Sequence, residues 1–276
     1  MENLMPDART KIREHYNATG LIDRVKVMLE AIAPENQQLT ISQLAPVDHF
    51  HVRGIHATAD LGDAAKLSPS MRVLDLGCGI GGTARYLAGT VGCTVVGVDL
   101  SPAFIDVATY LTVRCGLSDR LTFQVGDALQ IPSQAASFDA VFLHQVAMNI
   151  KDRGALYAEV RRILKPEGRF AIHDLVLRGG DVLYPTPWAQ DASTSFLLWE
   201  GETRAALEQA GFRAVRWSDD TKIALDWFDS LKANPSTSEL NPQVVRGPDY
   251  PTKLNNLALN LRQNRIGVLS AVCTLD

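Results

Sequence analysis

The stretch Asp75-Leu76-Gly77-Cys78-Gly79-Ile80-Gly81-Gly82 limits what this chain can fold into more than any other. It follows a short apolar run, Met71 to Leu76, that reads as a strand. It opens a helical pattern over Thr83 to Thr90. Glycines at a strand-to-helix turn let the backbone bend sharply and approach a ligand closely. The spacing Gly77-x-Gly79-x-x-Gly82 fits the fingerprint of a dinucleotide loop. Asp99 follows at roughly 20 residues, where an acid binds a ribose hydroxyl. The glycines alone leave two ligands open, a nicotinamide cofactor and S-adenosylmethionine.

Asp75 separates them. A carboxylate two residues before Gly77 would repel a pyrophosphate, whereas S-adenosylmethionine carries an ammonium and a sulfonium that it attracts. Three further positions fit the same ligand. Asp99 ends the second strand and is expected to take both ribose hydroxyls. In Gly126-Asp127-Ala128, after the third strand, Asp127 can accept from the adenine amino group and Ala128 offers a backbone amide. His144 ends the fourth strand. Ligands of such sheets gather at the carboxyl ends of the strands, which is where these side chains fall.

Around the loop, strands alternate with helices. Thr94 to Asp99, Leu121 to Val125, Phe138 to His144, Arg169 to Leu177 and Phe212 to Trp217 read as strands, and Ile266 to Leu275 as a last one. Helices are expected from Ser101-Pro102 onward, over Asp152 to Leu164 before a break at Lys165-Pro166-Glu167-Gly168, and over Glu200 to Ala210. Alternation of this kind gives an α/β fold with a mostly parallel sheet covered on both faces. Residues 1–70 read as a helical N-terminal lid, with helices over Leu21 to Ile32, from Thr40, and over Ala57 to Lys66. Residues 71–276 read as the core, with a helical insertion at about 221–262 around a polar loop, Asn234 to Pro251.

A hydrophobic fraction of 46% and a charged fraction of 21% suit a globular chain that can bury a core. The net charge of −4 gives no general attraction to nucleic acid or to an anionic membrane. The polar stretch Met1 to Arg13 lacks a signal-like apolar core, and no apolar run is long enough to span a bilayer. The four cysteines are widely spaced, as expected of reduced thiols in a cytoplasmic protein.

Val73-Leu74-Asp75-Leu76-Gly77-Cys78-Gly79-Ile80-Gly81-Gly82 resembles the first motif of class I S-adenosylmethionine-dependent methyltransferases. Gly97-Val98-Asp99-Leu100-Ser101 resembles their second, and Gly126-Asp127-Ala128, Ser137-Phe138-Asp139 and Arg162 to Gly168 the later ones. The resemblance covers about residues 71–217. It implies a Rossmann-like seven-stranded sheet in the order 3-2-1-4-5-7-6, with the final strand, Ile266 to Leu275, antiparallel. It also implies S-adenosyl-L-methionine as cofactor, held by Asp75, Gly77, Cys78, Gly79, Asp99, Leu100, Asp127, Ala128 and His144. Gly81 to Ala88 is similar to the small-molecule branch: sarcosine and dimethylglycine N-, tocopherol C- and natural-product O-methyltransferases. Asp48-His49-Phe50-His51 resembles the segment that closes the cofactor pocket there. The cysteines do not match the arsenic-holding arrangement of arsenite methyltransferases. Leu143 to Asn149 lacks the prolines of the nucleic-acid amino methyltransferases.

Methyl transfer mostly needs alignment of nucleophile, methyl and sulfur. His144 is the candidate base. Gln145, Met148 and Asn149 follow it and are expected to line the acceptor pocket. His51 is expected to face the methionine end of the cofactor, Arg53 to hold a carboxylate, and Tyr184 and Trp188 to wall an apolar or cationic acceptor. Trp199, Trp217 and Trp227 are assigned to the core. His49, His51 and His56 lack carboxylates at ligand spacing beyond Asp48, so no metal site is expected. The expected reaction is methyl transfer to N or O of a small metabolite. C-methylation of an activated carbon, and binding of the cofactor without catalysis, remain as alternatives. A homodimer is left open.

Overall fold

The computed structural model describes residues 8–16, 19–233 and 238–276. The first seven residues of the polar N-terminal stretch, and 234–237 of the insertion's polar loop, lie outside the described residues.

Strands β1 (Arg72–Leu76), β2 (Thr94–Asp99), β3 (Leu121–Val125), β4 (Phe138–His144), β5 (Leu164–Leu177), β6 (Phe212–Asp219) and β7 (Ile266–Leu275) form one sheet. Its order is β3-β2-β1-β4-β5-β7-β6. Neighbours from β3 through β5 are parallel, and β7 runs antiparallel to β5 and β6. This is the topology the resemblance implied.

The central strands are apolar runs because both faces are covered. Leu74 and Leu76 share a cluster with Leu156, Val160 and Leu207, from α7 (Arg153–Ile163) and α8 (Glu200–Gln209). Val73, in the opposite pleat, packs with Leu61 of α4 (Gly54–Ala64) and Ala84 of α5 (Gly82–Tyr86). Ser101 caps α6 (Pro102–Arg114) by accepting from the Phe104 N–H at 3.3 Å, with Pro102 in the first turn as expected.

The remaining helices lie at the N-terminus and in the insertion. The former are α1 (Ala8–Tyr16), α2 (Leu21–Glu30) and α3 (Ile41–Asp48), and the latter α9 (Thr221–Ala233), α10 (Gln243–Arg246) and α11 (Tyr250–Arg262). Leu21, Val25 and Leu29 of α2 join Phe104 and Leu111 of α6 in a separate core, reached from the insertion by Val245. Arg246 of α10 donates to the His49 carbonyl and stacks over Phe50, 5.0 Å from the ring centre.

Four expectations need correction. Lys165 to Gly168 does not break the chain into helix and strand. It lies inside β5, whose pairing slips from Phe138–Leu164 to Ala140–Arg169, with the extra residues Pro166 and Glu167 exposed at the irregularity. The helix after the glycine loop widens into a π turn over Leu87–Val91. Gly89 there abuts Ile41, whose Cδ1 would lie 2.5 Å from an added Cβ. Helix α4 starts earlier than expected, at Gly54. Trp199 is not core: it stands ahead of α8 and is 48% exposed.

The feature furthest from any sequence pattern is a fully buried ion pair, Asp48–Arg85. The Arg85 Nε donates to Asp48 Oδ2 at 3.2 Å. Its other nitrogens donate to the Ala108 carbonyl at 3.1 Å, to Thr112 Oγ1 at 3.3 Å and to the Ile80 carbonyl. One guanidinium thus ties α3, the glycine loop and α6 together. Gly82 belongs to the same junction, since a Cβ there would lie 2.2 Å from the Asp48 carbonyl oxygen. This last glycine of the fingerprint makes room for α3.

A candidate cofactor and acceptor cavity

A cavity of about 430 Å³ opens at the carboxyl ends of β1, β2 and β4. Gly77 and Gly79 form part of its wall with φ of 74° and 53°, a left-handed backbone that glycine adopts without strain. A Cβ on Gly77 would lie 2.3 Å from Val146 Cγ2. The Gly77 and Cys78 N–H groups donate to the Val98 carbonyl at 2.7 and 3.1 Å, pinning the loop against β2.

Asp99 lines the wall with its carboxylate held from behind. Its Oδ2 accepts from the Gly79 N–H and its Oδ1 from the Ser101 N–H, each at 2.9 Å. Leu100, Asp127 and Ala128 line the same wall, and Asp127 Oδ1 accepts from the Leu129 N–H at 2.9 Å. Asp75 is not in the wall. It is buried behind the loop, accepts from the Ala84 N–H and leaves Oδ2 without a partner among the described residues. Burial pushes its pKa up to about 7. Cys78 also lies outside the wall, and burial raises its thiol pKa.

His144 lines the cavity, with both ring nitrogens buried and unpartnered among the described residues. Burial, reinforced by His173 and His49, holds its pKa well below 6.5, so the ring is neutral. His51 does not reach the wall. It stacks on His144 at 4.3 Å, and its Nε2 lies 3.0 Å from the Gly54 carbonyl, which makes that nitrogen the protonated one. Arg53 also stays out of the wall, its guanidinium paired with Asp60 at 2.6 Å. Tyr184 lies outside it in the cluster beneath β7.

Gln145, Met148, Asn149 and Trp188 do line the cavity. Asn149 is already engaged. Its Oδ1 accepts from the Tyr16 hydroxyl at 3.0 Å and its Nδ2 donates to the Trp188 carbonyl at 2.9 Å, so it ties α1 to the cavity rim. Trp188 is buried and donates to Ser195 Oγ at 2.9 Å. The sequence reading missed Tyr16, Phe104 and Phe196, which also line the cavity. Only Phe50 stood in a stretch already singled out.

Three carboxylates, Asp99, Asp127 and Asp152, face this cavity against one ammonium, Lys151. Most of the remaining wall is apolar or aromatic. That balance suits a nucleoside carrying positive charge and opposes a pyrophosphate. Among the described residues, no group of three His, Cys, Asp or Glu is placed to hold a metal ion, and no helix is long and apolar enough to cross a membrane.

Residues 74–172 match a family described as a methyltransferase domain. That segment is a methyltransferase domain. It is 35% identical over 133 residues to the methyltransferase GfsG of Streptomyces halstedii, covering 48% of each chain. It is 30% identical over 173 residues to the sterol 24-C-methyltransferase erg-4 of Neurospora crassa, covering 59% of this chain and 45% of that one. The chain thus spans about half the length of these curated relatives. The structure of geranyl diphosphate C-methyltransferase from Streptomyces coelicolor A3(2) superposes with a TM-score of 0.69 at 19% identity, covering 100% of both chains. At that identity the likeness is one of fold. The matched segment of the methyltransferase domain ends inside β5, so neither the N-terminal helices nor the insertion belongs to it.

Proposed function

We propose that the cavity binds S-adenosylmethionine and directs its methyl to carbon in a small, largely apolar acceptor. The observation that carries the cofactor is Asp99. A carboxylate oriented by two backbone N–H groups in a ligand cavity keeps lone pairs for a pair of ribose hydroxyls. Asp127 and Ala128 sit where an adenine edge would be read, and residues 1–70 with the insertion serve as the lid. When bound, S-adenosylmethionine supplies a methyl on a sulfonium, already activated for displacement.

The nature of His144 favours carbon. A histidine held neutral far below its ordinary pKa is a poor base toward a resting alcohol or ammonium. It suffices for a proton that a newly methylated, cationic carbon framework releases readily. Relatives named as C-methyltransferases support this reading, and the apolar wall suits such an acceptor. Transfer of a ¹³C-labelled methyl to components of a metabolite extract, read by NMR, tests it. The label is expected at a carbon-bonded shift. A label found only in O- or N-methyl groups overturns carbon, and the absence of any labelled product leaves the non-catalytic binding protein.

Asp75 gives a second measurement. With a pKa of about 7 it is mostly protonated near pH 6.5. A cationic ligand beside the loop stabilises the carboxylate and lowers that pKa. Binding near pH 6.5 is therefore expected to release up to about one proton, and near pH 8.5 none, because Asp75 is already ionised. Calorimetry in buffers of different ionisation enthalpy reads the difference. Asp75→Asn is expected to abolish it, and release that survives this change assigns the proton elsewhere.

A further inference from the structure

Two adjacent side chains at the end of β4 carry hydrogen-bonding groups without a partner among the described residues. The Gln145 amide has a set orientation, since its Oε1 accepts from the Val52 N–H at 3.2 Å. The two N–H bonds of Nε2 are therefore directed elsewhere, and Nε2 is buried without a partner among the described residues. His144 leaves both Nδ1 and Nε2 in the same condition. A neutral imidazole offers one N–H and one lone pair. Gln145 also holds a left-handed φ of 51°, fixed by donation of its backbone N–H to the His173 carbonyl at 2.7 Å. Buried donors without acceptors and a strained backbone both cost stability. Their coincidence in the wall of a cavity marks a place shaped for a ligand.

The surroundings decide which ligand group fits. Val146, Met148, Trp188 and Phe196 are in the same wall. Its carboxylates stand on other segments, at the end of β2, after β3 and ahead of α7. An ammonium brings only donors. It would set N–H against N–H at Gln145 and place charge next to a stack of neutral imidazoles. A carboxylate would lose its hydration in an apolar wall with no cation bonded at this point. An uncharged oxygen accepts from the Gln145 amide, and it exchanges a second hydrogen bond with His144, as donor if a hydroxyl and as acceptor if a carbonyl.

We propose that Gln145 and His144 form an oxygen-selecting subsite, at which the methyl acceptor presents an uncharged hydroxyl, enol or carbonyl oxygen to Gln145 Nε2. The subsite rests on the reading of this cavity as one for methyl transfer. It makes Gln145 the residue that separates oxygen-bearing acceptors from amines. The three nitrogens are shielded from solvent in the structure. The oxygen reaches them through side-chain adjustments of the size common on binding.

Three probes of one shape test the proposal: benzyl alcohol, benzylammonium and ethylbenzene, titrated into the full chain saturated with S-adenosylhomocysteine and followed by ligand-observed NMR. The alcohol is expected to bind about tenfold tighter than ethylbenzene, a margin set by one well-made hydrogen bond, and benzylammonium weakest. Gln145→Leu removes the donors and is expected to erase the alcohol's margin. Gln145→Glu keeps an oxygen for the Val52 N–H but replaces the donors, and is expected to put benzylammonium ahead of benzyl alcohol. A merely structural role for Gln145 would move the three probes together. The subsite is overturned if the unaltered chain prefers benzylammonium, or if both variants keep its order of probes. S-adenosylhomocysteine is titrated first in each sample. Failure of the unaltered chain to bind it overturns the cofactor assignment, separately from the subsite.

Discussion

Asp99→Ala lowers the affinity for S-adenosylhomocysteine by about 100-fold or more, the expected result of removing two hydrogen bonds to a charged group at about 1.5–3 kcal/mol each. The loss has a second source. Asp99 accepts from the Gly79 N–H, so its removal also frees one corner of the glycine loop from the position it holds against β2. Asp99→Asn keeps one oxygen acceptor and is expected to fall between the two. Calorimetric titration of the three proteins measures this. Affinity within about threefold of the unaltered chain for Asp99→Ala would sink the ribose assignment, whatever the fold resembles.

Arg85→Met is expected to destabilise the chain by about 3–5 kcal/mol, because Asp48 would then be buried with no counter-charge. Both side chains of this pair are wholly inaccessible to solvent. The change should also weaken cofactor binding, since Arg85 holds the Ile80 carbonyl inside the glycine loop. Replacing both partners, as in Asp48→Asn with Arg85→Met, is expected to recover part of the loss, because the orphaned charge is gone. Urea unfolding of the two single variants and the double variant reads the cycle. A loss below about 1 kcal/mol for Arg85→Met would place the pair among ordinary surface contacts.

Much of the cavity wall assigned to the cofactor, Gly77, Gly79, Asp99, Leu100, Asp127 and Ala128, was legible because those residues are local to strand ends. The glycines that must turn and the acids that end β2 and follow β3 lie within a few residues of the strands that present them. The parallel order of the sheet was legible for the same reason, through motifs that each mark a strand end. Asp48–Arg85 was not, since 37 positions separate its members and neither belongs to a periodic pattern that singles it out. Gly82 looked like a ligand-facing glycine because spacing cannot tell approach by a ligand from approach by another helix. Asn149 lines the cavity, but its bond from the Tyr16 hydroxyl was not legible, because 133 positions separate the two residues. Asp75 was expected to act at the ligand. It is buried behind the glycine loop and outside the cavity wall, where period-two alternation along β1 puts the residue between Leu74 and Leu76. Trp199 was assigned to the core on residue type, yet its place ahead of α8 leaves it half in water.

The position of β7 also bears on how the chain is made. The strand latest in sequence is hydrogen-bonded on both sides, between β5 and β6. A chain growing from its N-terminus can assemble β1 to β5 as each strand emerges, but β6 has no neighbour in the sheet until residues 220–265 have been synthesised and β7 follows. For that interval both β5 and β6 present an open edge, the condition in which strands pair with the wrong chain. While residues 220–265 are still to be followed by β7, the nascent domain has its sheet divided.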